Sequence, residues 1–224
     1  MIYIYHHLGL GDHIICNGLV RSLIKNNLEY TLFGRPQYLN SVKYMYKDLT
    51  NLYFKEGCDN SINNFLSTID SDKQIRIGFQ YTPDNYSWDE YFYAQHNIPF
   101  TNRWENFKIN RILSGEVDLY NKLNSENSKF ALIHSAGSDG KDRIDYSKIN
   151  PELKIIKVSP EHTDNIFNYL GLVYSAEEIH CVESCFNVLV DSLDVDTKLF
   201  YHKNHNSRSI EKNQHKLKKP WIIV

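Results

Sequence analysis

Near the start of the chain, five residues have the types and spacing to do chemistry. Gly9, Gly11 and Asp12, with His7 and His13 on either side, follow directly on a short apolar run, Met1 to Tyr5. Glycines in such a loop let the backbone turn with φ > 0 and let a ligand approach closely. The amides that open the next helix attract negative charge, which makes Gly9 and Gly11 the candidate floor of a site. Asp12 adds a carboxylate at the helix mouth. It can cap backbone amides or take a proton, and the two roles are compatible. His7 and His13 have an unperturbed pKa better suited to proton transfer, although a histidine beside a strand end is often only packed or solvated. The spacing is not the dinucleotide fingerprint, whose third glycine would fall at Ile14.

The elements that must position these residues alternate. Strands are expected at Ile2 to Tyr5, Tyr30 to Gly34, Asn51 to Phe54 and Gln74 to Phe79, with helices at Asp12 to Asn26, Pro36 to Tyr46 and Asn60 to Ile69. Such alternation predicts a parallel sheet covered by helices, because parallel neighbours need crossover connections. Residues 80–107 are aromatic and polar with two prolines, and read as a long loop or short helices. The aromatic cluster between Tyr81 and Tyr93 suits sugar stacking or a protein interface, or simple core packing. The polar stretch Asn110 to Asn127 marks a joint, dividing the chain into halves of residues 1–112 and 113–224. A second α/β unit then follows. Its strands are expected at Lys129 to His134, Lys154 to Val158 and Lys198 to Tyr201, with a buried segment at Glu178 to Val182 and helices at Asp164 to Tyr169, from Ser175 and at Ser184 to Leu193. In open α/β sheets ligands bind beyond the carboxyl ends of the strands, so the loops after Tyr5 and after His134 are where chemistry belongs.

Composition bounds the partners. The 224 residues are 42% hydrophobic and 23% charged, the values of an ordinary globular protein, and a formal charge of -2 provides no field to gather nucleic acid. No apolar run of 18 residues spans a membrane, so at most peripheral membrane contact is expected. Four scattered cysteines and no charged, apolar leader before Ile14 predict a reducing, cytoplasmic setting. Cys181 and Cys185 beside His180 lack a second ligand pair, and Asp194 and Asp196 lie where a turn already favours aspartate. No metal is expected.

Three segments together resemble the heptosyltransferase-like glycosyltransferases of the GT-B fold. They are the opening Leu8-Gly9-Leu10-Gly11-Asp12-His13-Ile14, the strand end Ile133-His134-Ser135-Ala136-Gly137-Ser138, and the run from Tyr174 to Phe186 that contains Glu183-Ser184-Cys185. The resemblance implies an α/β protein of two Rossmann-like domains facing across a cleft, in a minimal, short form. A glycan or glycolipid acceptor would lie on the N-terminal domain and a nucleotide-sugar, as substrate rather than cofactor, on the C-terminal one. Asp12 matches the family's candidate base, with His7 and His13 as alternatives. His134, Ser135, Gly137 and Ser138 match the start of the donor half.

That chemistry also needs donors for a diphosphate leaving group. Lys141 and Arg143 are candidates, or else a solvated cluster with Asp139, Asp142 and Asp145. The amides of Ser184 and Cys185 form a candidate anion site. Glu183 could accept both ribose hydroxyls or simply complement a helix dipole. Lys203 and Arg208, in a donor-rich stretch after the last strand, are secondary candidates. The rival expectations are a nucleotide- or glycan-binding protein without turnover and a nucleotide-sugar epimerase.

Overall fold

A computed structural model describes residues 1–137, 139–203 and 216–224. Ser138 and Arg208 lie outside the described residues. Those described divide into two compact units, residues 1–110 with Lys216, and residues 111–203 with 217–224. Each unit is a parallel sheet flanked by helices, the α/β class expected.

In the first unit the strands are β1 (Ile2–Tyr5), β2 (Tyr30–Gly34), β3 (Leu52–Glu56) and β4 (Gln74–Arg76), in the order β3-β2-β1-β4 and parallel throughout. Residue Ile2 pairs with Tyr30 on one side of β1, and Tyr3 with Gln74 on the other. β2 is buried along its whole length, which is why its sequence is apolar at every position but Thr31. Tyr5, Leu8, Phe33, Ile62 and Leu66 form one core cluster.

The expected helix Asp12 to Asn26 is two helices, α1 (Leu10–Ile15) and α2 (Asn17–Leu23), broken at Cys16. Gly18 sits where α2 meets α6 (Asn102–Glu105), and a Cβ there would stand 1.9 Å from the Asn102 carbonyl oxygen. Only a glycine admits that approach. The sheet is further covered by α3 (Leu39–Met45) and α4 (Asp59–Leu66).

The stretch read as a long loop or short helices contains α5 (Trp88–Ala94) as well as α6. A capping box starts α5, with the Ser87 N–H donating to Glu90 Oε2 at 3.0 Å. The aromatic cluster is divided: Phe92 and Tyr93 are core, Tyr93 donating its hydroxyl to the Ile15 carbonyl at 2.6 Å, whereas Tyr81 is exposed. Beneath α5, fully buried Arg103 donates to Asp89 at 2.6 Å. The same pair takes both backbone groups of Lys216, whose N–H donates to Asp89 at 2.9 Å and whose carbonyl accepts from Arg103 at 2.8 Å.

The second unit opens with α7 (Leu113–Leu123), a helix where the sequence reads as a polar joint. Its strands are β5 (Phe130–His134), β6 (Lys154–Lys157), β7 (Glu178–Cys181), β8 (Lys198–Tyr201) and β9 (Ile222–Ile223), ordered β6-β5-β7-β8-β9 and all parallel. β9 was not expected; at two residues it is too short to leave a periodic signal. Between β6 and β7 the expected helix Asp164 to Tyr169 is a 3₁₀ turn at Ile166–Tyr169 that runs into α8 (Leu170–Val173), no helix starts at Ser175, and α9 (Cys185–Ser192) follows β7. No helix among the described residues is long and apolar enough to cross a membrane.

Candidate functional site

The order in which strands are added reverses in each sheet at its first strand. In the first sheet β2 lies on one side of β1 and β4 on the other; in the second, β6 and β7 flank β5. The crevice at such a reversal is where a parallel sheet receives a ligand. The loops that leave β1 and β4, and those that leave β5 and β7, therefore define two candidate sites, one on each unit.

At the first, Gly9 is the N-cap of α1, with φ -68° and ψ 145°, and Asp12 is the third helical residue. This corrects two expectations. Gly9 does not use a positive φ, and Asp12 is not the N-cap. The glycine instead makes room, because a Cβ on it would stand 2.5 Å from Asp12 Oδ2. Burial raises the Asp12 carboxyl above the ordinary aspartate range, against the pull of His7, the Gly9 and Asp12 amides and Arg35. A buried carboxylate with few compensating donors is a stronger base than a solvated one.

His7 is brought to the same edge. Its Nε2 lies 2.9 Å from the Gly78 carbonyl oxygen, which can only accept, so Nε2 carries a proton. The ring rests on Phe79 and Phe92, at 4.9 and 5.8 Å between centroids. Gly78 holds φ +85°, and a Cβ there would come within 2.4 Å of Phe92 and 2.9 Å of His7.

His13 is not brought to the edge. It is fully buried with its ring 4.3 Å from that of His6, neither ring nitrogen has a partner among the described residues, and burial holds it well below the ordinary histidine value.

Sequence reasoning missed the polar groups contributed by the neighbouring strand ends. Asp59 accepts from the Tyr5 hydroxyl at 2.7 Å and from Arg35 at 3.2 Å, while the Arg76 guanidinium lies 5.4 Å from the ring centres of both Tyr5 and Phe79. The signal was available in the arginines that directly follow or end β2 and β4.

At the second site, β5 ends in His134, whose ring stacks on Phe186 (5.5 Å, 13°) and is pushed down to about 4 by burial. The chain then makes a small hairpin. Ala136 bridges Asp142, the Arg143 N–H donates to the Ser135 carbonyl at 2.9 Å, and Gly140 takes φ +70° near the tip. Arg143 is engaged by both oxygens of Asp139, and Asp142 accepts from Tyr146 at 2.7 Å and Lys157 at 3.3 Å. Of the three aspartates in the alternative reading, only Asp139 engages Arg143; Asp142 bonds Tyr146 and Lys157, and Asp145 accepts from Ser147. Lys141 contributes its N–H to Asp139 at 3.3 Å.

The turn from β7 into α9 meets this hairpin, because a Cβ on Gly137 would stand 3.3 Å from the Glu183 carbonyl oxygen. Burial raises the Glu183 carboxyl. Ser184 is the N-cap of α9: its Oγ accepts from the Asn187 N–H at 3.3 Å and donates to the Val182 carbonyl at 3.1 Å. Burial pushes the Cys185 thiol up to about 11 and Cys181 up as well. Among the described residues no three His, Cys, Asp or Glu side chains are grouped so that they could hold a metal ion. Lys203 leaves β8 with its N–H donating to the Val224 carbonyl at 3.1 Å.

No protein-family model and no curated protein matches the chain. Two solved structures are similar over all of it. One is a glycosyl transferase family 9 protein from Veillonella parvula DSM 2008, with a TM-score of 0.59, 9% identity and 86% of that chain covered. The other is the ADP-heptose LPS heptosyltransferase II of E. coli, with a TM-score of 0.57, 7% identity and 90% covered. The chain has the two-sheet α/β fold of these transferases.

Proposed function

We propose that the chain is a metal-independent glycosyltransferase of the GT-B type, moving a sugar from a nucleotide-sugar to a glycan or glycolipid hydroxyl. The acceptor lies on the first unit and the donor on the second. Asp12 takes the hydroxyl proton as the acceptor oxygen attacks the anomeric carbon. The bond from that carbon to the phosphate oxygen breaks, and the nucleotide departs with its electron pair. Glu183 accepts from the ribose hydroxyls, and the backbone amides at Ser184 and Cys185, with Lys141, Arg143 and Lys203 nearby in sequence or fold, receive the phosphate charge.

The observation that carries this reading is Asp12. A carboxylate raised by burial, seated over Gly9 at the switch point of a parallel sheet, supports a role as general base. The likeness to two solved transferases supports the same class through the fold.

Calorimetric titration with UDP-, GDP-, ADP- and CMP-sugars, repeated on Glu183→Ala, tests the donor half. One of the four is expected to bind, more weakly to the variant, and absence of binding at millimolar concentration overturns the reading. Asp12→Ala is expected to abolish transfer while leaving donor binding intact. Donor binding with neither hydrolysis nor transfer in the wild type would instead identify a binding protein, and interconversion of donor sugars an epimerase.

A further inference from the structure

Three ionisable side chains stand in line inside the second sheet, and the proposed chemistry uses none of them. Glu178 and His180 are alternate residues of β7 and share one face of it. His202 directly follows β8. His180 is fully buried and His202 is 3% exposed.

The Asp145 N–H donates to His202 Nδ1 at 3.1 Å, His202 Nε2 lies 3.0 Å from His180 Nδ1, and His180 Nε2 lies 3.2 Å from Glu178 Oε2. These contacts fix every proton. A backbone N–H can only donate, so Nδ1 of His202 is bare and Nε2 carries its single proton. That proton is donated to Nδ1 of His180, which must then hold its own on Nε2 and donate it to the carboxylate. Glu178 also accepts the Asn150 N–H at 3.2 Å, and the His180 ring lies flat on Phe200 at 4.4 Å. Burial pushes His202 down to about 4 and lowers His180, so both rings are neutral at pH 7.

The far end of this line is Asp145, two residues beyond the Arg143 N–H that closes the hairpin, at the N-cap of the 3₁₀ turn Tyr146–Lys148. Asp145 spends its carboxylate on Ser147, accepting from both its N–H and its hydroxyl, which leaves its own N–H for His202. We propose that His202 is a positioning residue of the second site: it latches the chain where it leaves the hairpin, at Asp145, to the end of β8, and His180 and Glu178 behind it hold it in the one tautomer that can accept. The consequence for ligand binding rests on the donor reading above; the latch itself does not.

Nitrogen-15 NMR of the histidines in the full chain at pH 7 is expected to show His202 and His180 both protonated on Nε2, and an Nδ1 proton on either ring overturns the proposal. His202→Asn keeps an acceptor near the place of Nδ1, whereas His202→Gln reaches past it. Hydrogen exchange at the Asp145 amide should therefore quicken roughly tenfold in the Gln variant, the worth of one hydrogen bond, and stay near wild type in the Asn variant. Equal exchange in the two variants overturns the latch. In titrations with UDP, GDP, ADP and CMP, the nucleotide that binds the wild type should bind His202→Gln roughly tenfold more weakly, with recovery in His202→Asn. Should none bind the wild type, the donor reading fails, while the tautomers and exchange rates still decide the latch.

Discussion

Asp12 lies over Gly9 so closely that a Cβ on the glycine would stand 2.5 Å from Oδ2. The glycine's φ of -68° is one that any residue adopts. What the position requires is therefore the empty space, and that space is set by the carboxylate.

Gly9→Ala separates the two. The backbone accepts alanine at this position, so the thermal midpoint should change little, but the carboxylate must swing away from its seat. A displacement of about 1 Å at a catalytic group is worth roughly 10²-fold in rate. Transfer should fall by that order with donor affinity unchanged, and a variant with wild-type turnover would remove Asp12 from the mechanism.

Asp12→Asn should trade activity for stability. Because burial holds the folded carboxyl above its ordinary 3.8, the folded protein keeps a proton that the unfolded chain has already released. Stability therefore falls as pH rises through that interval, and the loss persists at neutral pH. Asparagine escapes it, so urea unfolding at pH 7 should show a more stable variant. Its turnover should be lower by roughly 10²–10⁴-fold, the usual share of a general base. In the wild type the acid limb of activity should inflect above the ordinary carboxylate range.

How much of this was legible follows from which signals are local. Strand β2 is apolar at nearly every position, and the run before Gly9 is short and apolar, so both strands were readable. The two candidate site loops were also readable, because strand ends in a parallel sheet point to them. The break at Cys16 was not, since the periodicity continues from α1 into α2 and only the close meeting of Gly18 with Asn102 shows why the chain redirects. Helix α7 is polar on most of its surface and reads as a joint. The glycine loop was located correctly but for the wrong reason, because a sequence shows that a glycine is present and not whether φ or volume demands it. Partners distant in sequence, such as Asp145 with His202 or Asp89 with Arg103, leave no periodic mark at all.

The Asp89–Arg103 pair should be costly to break and cheap to replace. Both side chains are fully buried, and Arg103 Nε and Nη2 have no hydrogen-bond partner among the described residues. Removing one partner strands the other charge, which costs about 3–5 kcal/mol. Asp89→Ala should lose that much in urea unfolding, while Asp89→Leu combined with Arg103→Met should be less destabilised than Asp89→Ala. The double variant also loses its hold on the Lys216 backbone, so proteolysis near Lys216 should quicken. Losses that simply add in the double variant would show that the two side chains are not energetically coupled and would overturn this account.

Acid should unfold this protein through its buried histidines. Burial pushes His6 and His134 from 6.5 down to about 4, and His13 well below 6.5. Each stays neutral in the folded state while the unfolded chain takes up a proton, so stability is full above pH 6.5 and is lost as pH falls toward 4. A shift of that size is worth on the order of 3 kcal/mol per group when the fall is complete. His13 is the sharpest test, because its ring nitrogens have no partners to lose. His13→Leu should match or exceed the wild type at pH 7, where it replaces a buried polar ring without breaking a hydrogen bond. At pH 5 it should exceed the wild type by a wider margin. Unfolding free energies measured from pH 8 to pH 4.5 would give a flatter curve for the variant. Parallel curves would mean that His13 does not titrate on unfolding and that the acid limb belongs to other buried histidines, among them His6, His134 and His202.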